Sequence, residues 1–163
     1  MRVRTLMAAL PLTLALAACP AAYPPFTVLN PNDYHVFVAP WEPADQPLCV
    51  AFQSAADWEA RMHPAAVMGD NTFAPPAEIW RDHAVVVMAR ETNPGDPAKI
   101  FTVTGVTKST GADALDIHTT FTPTPPSTST MIAYVAVEVP KPLPHVVHFN
   151  ENGSDVCEIR PNR

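Results

Sequence analysis

Prolines restrict the fold of this chain more than any other feature. The 163 residues include 20 prolines but only five glycines. A proline inside a helix removes a backbone donor and clashes with the preceding turn, so frequent prolines leave little room for long helices. The composition therefore predicts a β-rich protein whose strands are joined by stiff loops.

The N-terminal residues have the layout of a secretory signal. A basic start with Arg2 and Arg4 is followed by an apolar run over residues 6–18. This run is well short of the ~20 residues that a helix needs to cross a bilayer. Small residues close it, immediately before Cys19. We therefore expect residues 1–18 to be a signal peptide.

The residues Leu16-Ala17-Ala18-Cys19 resemble the lipobox of bacterial lipoproteins. The resemblance implies a diacylglyceryl group on the sulfur of Cys19 and, after cleavage, an acyl chain such as palmitate on its amino group. Several acyl chains, each contributing ~0.8 kcal/mol per buried methylene, anchor a protein stably. We therefore expect a lipid-anchored protein of the bacterial cell envelope that faces the periplasm. The alternative is an ordinary signal peptide with a chance cysteine.

The remaining chain divides into a tether and one domain. Residues 19–33 contain four prolines and no sustained periodicity, so we interpret them as an extended, lipidated tether. Pro20 stands where an aspartate would suggest retention in the inner membrane, which favours the outer membrane. Residues 34–163 are enough for a single β-rich domain with its own core.

The charge of the mature chain limits its partners. Arg2 and Arg4 leave with the signal and no acidic residue does, so the formal net charge changes from -6 to -8. An acidic surface argues against nucleic acid and against an electrostatic attachment to anionic lipid. The membrane contact is therefore expected through the lipid on Cys19.

The two remaining cysteines form an even pair in an oxidising compartment. Cys49 and Cys157 both lie in strand-like contexts, and a disulfide between them would join the start of the domain to its end. In the chain-entropy model, closing a loop of roughly a hundred residues contributes ~4–5 kcal/mol. Two buried free thiols are the alternative.

The hydrophobic pattern predicts strands along most of the domain. Residues 84–89 are continuously apolar, which fits a central strand covered on both faces. Residues 113–121 alternate between apolar and polar side chains, which indicates one buried and one wet face. Ser54 and Asp57 are typical of a helix start, and a short helix over residues 55–63 would follow.

These elements predict a fold of the α+β class that is mainly β. We expect an antiparallel β-sandwich or small barrel of about seven strands, with one short helix on one side. Trp58 and Met62 lie four residues apart in the predicted helix and should pack as one stripe against the strands.

The order of elements is also similar to that of a known family. A helix beginning Ser-x-x-Asp-Trp at Ser54, the strand at residues 84–89, a hairpin, and an apolar strand ending in Pro140-Lys141-Pro142 follow one another. Over residues 52–149 this order resembles the C-terminal domain of the PrcB family, exported bacterial proteins named for a protease-complex subunit. The chain has Ala98-Lys99-Ile100 where members often have Gly-Gly-Tyr. The resemblance implies a non-enzymatic accessory or binding domain with no catalytic residues.

Two groups of residues are candidates for functional contacts. Asp116 and His118 lie two apart on the wet face of one strand and are suitable for a metal site or for a base and its orienting group. Spacing shows no third ligand, so we expect no metal and no cofactor. Trp41, in a proline-bounded loop, is the candidate contact with a partner. The Thr/Pro/Ser-rich loop at residues 122–130 is expected to be exposed.

The leading hypothesis is a membrane-anchored envelope lipoprotein that binds another envelope protein and has no chemistry of its own. A protease complex is one partner that the PrcB resemblance suggests. One alternative is a small metal-dependent hydrolase that uses Asp116 and His118. Another is a small-molecule or lipid-binding β-domain.

Overall fold

The structure is a computed structural model, and it describes residues 26–34, 36–38, 47–65, 72–109 and 113–161. The predicted signal peptide, the lipidation site Cys19 and the candidate contact residue Trp41 lie outside these residues.

Ten strands and four short helical segments make up the described residues. The strands are β1 (Thr27–Leu29), β2 (Val36–Val38), β3 (Leu48–Phe52), β4 (Met62–Pro64), β5 (His83–Thr92), β6 (Phe101–Lys108), β7 (Ala114–Phe121), β8 (Met131–Pro140), β9 (Val146–Glu151) and β10 (Ser154–Ile159). The helices are α1 (Ala55–Glu59), α2 (Ile79–Asp82) and α3 (Pro97–Ile100), and Pro31–Asp33 form a 3₁₀ turn.

The strands form two packed sheets, which confirms a mainly β protein of the sandwich type. The first sheet has the order β1-β8-β5-β3 and the second has the order β10-β9-β7-β6, while β2 and β4 form a separate ribbon. The two sheets thus hold eight strands rather than about seven. Three α-helices in the described residues, each of four or five residues, replace the single predicted helix.

Strand β5 is buried on both faces, as its continuous apolar run predicts. Val86 and Met88 pack into the core between the two sheets. Val85 and Val87 point the other way, into a second cluster that also contains Trp58. All four side chains have no exposed surface. The ribbon, α1 and residues 31–34 therefore form a third layer on the outer face of the first sheet.

The second sheet is mixed rather than antiparallel. β7 pairs with β9 in parallel, whereas the other pairings of the described strands are antiparallel. The reason is the position of β8, which separates β7 from β9 along the chain but belongs to the first sheet. The chain crosses to the other sheet and returns, so β9 runs in the same direction as β7. Alternation within a strand carries no information on such a crossing.

Helix α1 begins as predicted but ends earlier. Asp57 N donates a hydrogen bond of 3.1 Å to Ser54 Oγ, and Gln53 N donates one of 3.1 Å to Asp57 Oδ2. The helix ends at Glu59 instead of continuing to His63, because residues 62–64 pair with β2 as a strand. Trp58 and Met62 are both buried in the same cluster, although Met62 is not helical.

The first described residues belong to the domain rather than to the tether. Thr27–Leu29 pair with β8 through the register Thr27 to Glu138, and Leu29 is buried in the second cluster. Phe26 packs against the core between the sheets. The prolines around this segment are compatible with a short edge strand, because an edge strand needs hydrogen bonds on one side alone. The proline content therefore did not indicate the strand in the sequence.

The predicted disulfide is present. Cys49 in β3 and Cys157 in β10 are bonded, with their Cα atoms 6.5 Å apart and a sequence separation of 108. Each strand is at the edge of its sheet, so the bond connects the two sheets along one side of the sandwich.

Removing this disulfide should lower the free energy of unfolding. We expect a Cys49→Ala/Cys157→Ala variant to lose roughly 2–5 kcal/mol, because its unfolded chain is no longer cross-linked over a long loop. Urea denaturation under oxidising conditions measures the loss, and Thr128→Ala, at an exposed loop position, is the control. A double variant as stable as the wild-type protein would show that packing alone holds the sheets together.

Candidate functional site

The sandwich has two chemically different ends. At the entry end, β1 begins after Phe26, β3 ends before Gln53, β8 leads into Lys141, and the described chain finishes at Pro161. At the loop end, β5 leads into Asn93, β7 leads into the loop at residues 122–130, and β9 turns into β10. The register of β5 with β8, from His83 with Pro140 to Thr92 with Met131, sets the two ends apart.

The loop at residues 122–130 is held at the loop end by Asn93. Thr124 Oγ1 donates a hydrogen bond of 2.8 Å to the carbonyl oxygen of Asn93. The side chain of Asn93 makes two more bonds, from Nδ2 to the carbonyl oxygen of Thr124 (3.3 Å) and to Oδ1 from the backbone N–H of Ser127 (3.3 Å). One asparagine thus fixes a loop about thirty residues away in sequence.

Close packing between the 93–97 turn and the 122–130 loop supports the same arrangement. A Cβ atom at Gly95 would lie 2.8 Å from both Ile100 Cδ1 and Thr124 Cγ2, which is closer than such atoms approach. A larger residue at position 95 would force the side chains of Ile100 and Thr124 to shift, so glycine allows the 93–97 turn to lie close against the loop. Asp96 caps α3 through a 3.1 Å bond to the N–H of Ala98, and Pro97 occupies the first turn.

The outer part of this loop is exposed and carries no charge. Residues 125–130 are all exposed, and two of them are prolines. Among the described residues, the hydroxyl groups of Thr128 and Thr130 have no hydrogen-bond partner. Because this loop is already held by Asn93, its hydroxyl groups can form hydrogen bonds with a partner at little cost in loop entropy.

A buried ion pair joins the two sheets beneath the loop end. Arg90 Nε of β5 lies 2.8 Å from Glu151 Oε2 of β9, and the Arg90 guanidinium carbon is 5.2 Å from the centre of the Phe121 ring. The Nε–H is not aligned with Oε2 as a hydrogen bond, so the contact is mainly electrostatic. Removing one partner of such a pair would leave a buried charge without compensation.

Asp116 and His118 lie on the partly exposed face of β7, as predicted, but each side chain is bonded to its own hairpin. Ser109 Oγ donates to Asp116 Oδ2, and His118 Nε2 is 2.9 Å from Thr107 Oγ1. In the register of β7 and β9, His148 pairs with Asp116 and Asn150 pairs with His118. Within the described ranges, no three His, Cys, Asp or Glu side chains are placed to hold a metal ion.

Two of the three tryptophans have structural positions. Trp58 has no exposed surface, and its Nε1 donates a 2.9 Å hydrogen bond to the carbonyl oxygen of Phe73. Trp80 packs partly buried beside it, with ring centres 6.3 Å apart. Trp58 therefore packs against the strands as predicted, and Trp80 belongs to the border of the same cluster.

Burial raises the pKa of three side chains at the outer face of the first sheet, those of Glu138, Tyr34 and Tyr134. Desolvation raises the pKa of Glu138 above its ordinary value, and the nearby charge of His83 partly opposes that effect. Desolvation is also the main cause of the raised pKa of Tyr34 and of Tyr134, and the charge of Asp33 adds to both. The Tyr134 hydroxyl donates to the carbonyl oxygen of Pro31 at 3.3 Å.

A cleft of about 730 Å³ lies at the entry end. It is lined by Gln53, Arg81, Asp82, Asp113, Lys141, Pro142, Leu143, Pro144 and Pro161. Hereafter we call it the entry cleft. Sequence reasoning missed both this cleft and the role of Asn93, although the proline-rich stretch after β8 and the Asn93-Pro94-Gly95 turn were visible signals.

Comparison with protein-family models, with curated proteins and with solved structures finds no match to this chain. The resemblance to the PrcB family therefore stays a prediction. None of the helices in the described part of the chain has the length and apolar character of a transmembrane span.

Asn93 should control the order of the 122–130 loop. We expect Asn93→Ala to remove two of the bonds that hold the loop and to weaken its attachment by about 1–3 kcal/mol. Hydrogen exchange read by mass spectrometry should then be faster in residues 122–130 and unchanged in β5. Asn150→Ala, which removes an amide that makes no hydrogen bond within the described residues, is the matched control. Equal exchange in both variants would contradict the assignment.

Glu138 should make stability depend on pH. Because its folded-state pKa is raised, the ionised carboxylate opposes folding, and this penalty disappears as the pH falls through the folded pKa towards the ordinary value of 4.5. We expect Glu138→Gln to be more stable than the wild-type protein at pH 7 and to lose that advantage at about pH 4. Urea denaturation at both pH values measures the difference, with Glu59→Gln at an exposed position as the control. A difference independent of pH would contradict this reasoning.

Proposed function

We propose that this protein is a lipid-anchored lipoprotein of the bacterial cell envelope that binds another protein through its loop end. In this role the protein binds its partner without catalysing a reaction. The observation that carries the proposal is the placement of the 122–130 loop, which is exposed, uncharged and fixed by Asn93 at the end opposite to the chain entry. A fixed loop is suited to recognition, because little ordering entropy is lost when a partner binds.

The predicted anchor supports this orientation. About seven residues separate Cys19 from Phe26, so the tether reaches at most ~25 Å. The ten-residue strands β5 and β8 each extend ~33 Å at ~3.3 Å per residue. A domain attached at its entry end by so short a tether holds that end near the bilayer and presents the loop end to the periplasm.

The chemistry of the loop end supports a protein as the partner. The loop offers threonine and serine hydroxyl groups between prolines, together with the β9–β10 turn at Asn152 and Gly153. Asn152 exchanges hydrogen bonds with the backbone of Phe121, which places this turn beside β7 where the loop begins. Following the PrcB resemblance, an envelope protease is the first partner class to test.

The lipid on Cys19 is tested by metabolic labelling. Cells grown with a clickable palmitate analogue should incorporate label into the wild-type protein and none into Cys19→Ala, because acylation requires that residue. A Cys49→Ala/Cys157→Ala variant is the matched control and should stay labelled. Label retained in Cys19→Ala would contradict the lipobox assignment.

The contact surface is tested by site-specific photo-crosslinking in intact cells. A photoreactive amino acid replaces Thr128 at the loop end or Lys108 at the entry end, both at exposed positions. We expect a discrete protein adduct from position 128 that is lost in the Asn93→Ala background, and none from position 108. Equal adducts from both positions, or none from either, would overturn binding through the loop end.

A further inference from the structure

Lys141 places an uncompensated cation beside the entry cleft. Its Nζ donates hydrogen bonds of 2.7 Å to two backbone carbonyl oxygens, those of Gln53 and Trp80. Its backbone N–H donates a third bond, of 2.8 Å, to the carbonyl oxygen of Asp82. Within the described residues, no acidic side chain pairs with the ammonium group of Lys141. The two carbonyl bonds of Nζ occupy two of its three N–H groups and leave one available.

Arg81 adds a second cation without an anionic partner. Its side chain is exposed and lines the same cleft, and it forms no ion pair with the described residues. Two such cations around one cavity favour a ligand with a phosphate or carboxylate group. Arg81 offers a planar fork of donors, and Lys141 offers a point charge fixed by its two carbonyl bonds.

The cleft also carries acidic groups, and these disfavour a simple anion. Asp82 lines the cleft next to Arg81, and its carboxylate has no partner within the described ranges. Asp113 lines it as well and accepts a 3.2 Å hydrogen bond from the N–H of His145. A ligand that carries both a negative and a positive group satisfies both sets of charges, whereas a phosphate ion alone meets repulsion from the carboxylates.

The remaining wall is apolar and lies at the end where the chain enters. Pro142, Leu143, Pro144 and Pro161 form that wall. The tether length places this same end within ~25 Å of a bilayer that holds the lipid of Cys19. A zwitterionic headgroup with a glycerol backbone behind it matches the charges, the apolar wall and the location of the cleft.

We propose that the entry cleft binds the phosphoethanolamine headgroup of a membrane phospholipid, with the phosphate on Arg81 and Lys141 and the ammonium group on Asp82. This inference rests on the lipid anchor of the proposed function. Recognition of the headgroup would fix the orientation that the acyl chains alone leave free, so that the loop end points away from the bilayer.

The test uses the full-length lipidated protein in nanodiscs of phosphatidylcholine alone, or mixed with phosphatidylethanolamine or with phosphatidylglycerol. Hydrogen exchange is followed in residues 79–83 and 141–145. We expect exchange to be at least about threefold slower with phosphatidylethanolamine than with either other composition, since of the three headgroups only phosphoethanolamine has an ammonium group with N–H donors for a carboxylate of the cleft. Arg81→Ala should abolish the difference. Lys99→Ala, which removes an exposed cation near the loop end, should keep it.

A second arm separates the sources of the ligand. Phosphoethanolamine or inorganic phosphate is titrated into the detergent-solubilised protein, and the same peptides are followed. Slower exchange with phosphate as well as phosphoethanolamine would identify an anion site and overturn the proposal. Slower exchange with free phosphoethanolamine but not with phosphatidylethanolamine nanodiscs would identify a soluble ligand and overturn the lipid source.

The two proposals fail in different ways. Equal exchange in all three nanodiscs would overturn headgroup recognition while leaving the crosslinks at position 128 intact. Absence of palmitate label on the wild-type protein would overturn the anchor and, with it, the membrane as the source of the ligand. Absence of crosslinks together with headgroup-specific protection would support the entry cleft and overturn partner binding at the loop end.

Discussion

The ladder between β5 and β8 is the interaction on which the rest of the structure depends. Ten residues of β5 pair with ten of β8, and residues 84–89 have no exposed surface. An apolar strand pair of this kind must be covered on both faces, or its hydrophobic stabilisation is lost. The second sheet covers one face, and the layer containing Trp58 covers the other. Because both faces of the first sheet are occupied by packing, this sheet offers surfaces for binding at the two ends of its strands.

The sequence predicted those elements whose residues interact with neighbours along the chain or bury a regular pattern. The burial of residues 84–89, the alternation of residues 113–121 and the helix start at Ser54 follow from local chemistry, and the disulfide follows from counting cysteines. The parallel pairing of β7 with β9 and the strand at Thr27–Leu29 could not be predicted in the same way. Both depend on which distant strand offers a free edge, and no local pattern encodes that choice. The early end of α1 has the same origin, because Met62 pairs with a distant strand instead of continuing the helix.

The candidate sites show the same division between local and distant contacts. The 93–97 turn was predictable from its asparagine, prolines and glycine, and the exposure of residues 122–130 was predictable from their composition. The bonds between Asn93 and Thr124 join residues 31 apart, so only the fold reveals that the two segments form one surface. Lys141 was visible as part of a proline-rich segment, but its bonds to Gln53 and Trp80 span 88 and 61 residues. Asp116 and His118, which had the strongest local signal for chemistry, are instead bonded to Ser109 and Thr107.

The connections between the sheets bear on the proposed roles of the two ends, with the entry end at a membrane and the loop end at a partner. The Cys49–Cys157 disulfide joins the sheet edges at β3 and β10, and the Arg90–Glu151 pair joins the sheets beneath the loop end. With two such cross-connections the sheets resist sliding, so the loop end keeps its position relative to the entry end. A rigid body of this kind transmits orientation: an entry cleft fixed on a headgroup would also fix the direction in which the 122–130 loop points. In the proposed arrangement, the acyl chains and the tether would determine only how far the domain can move from the bilayer. Distance and direction would then be set by different parts of the molecule, the tether and the entry cleft, and the loop end would depend on both.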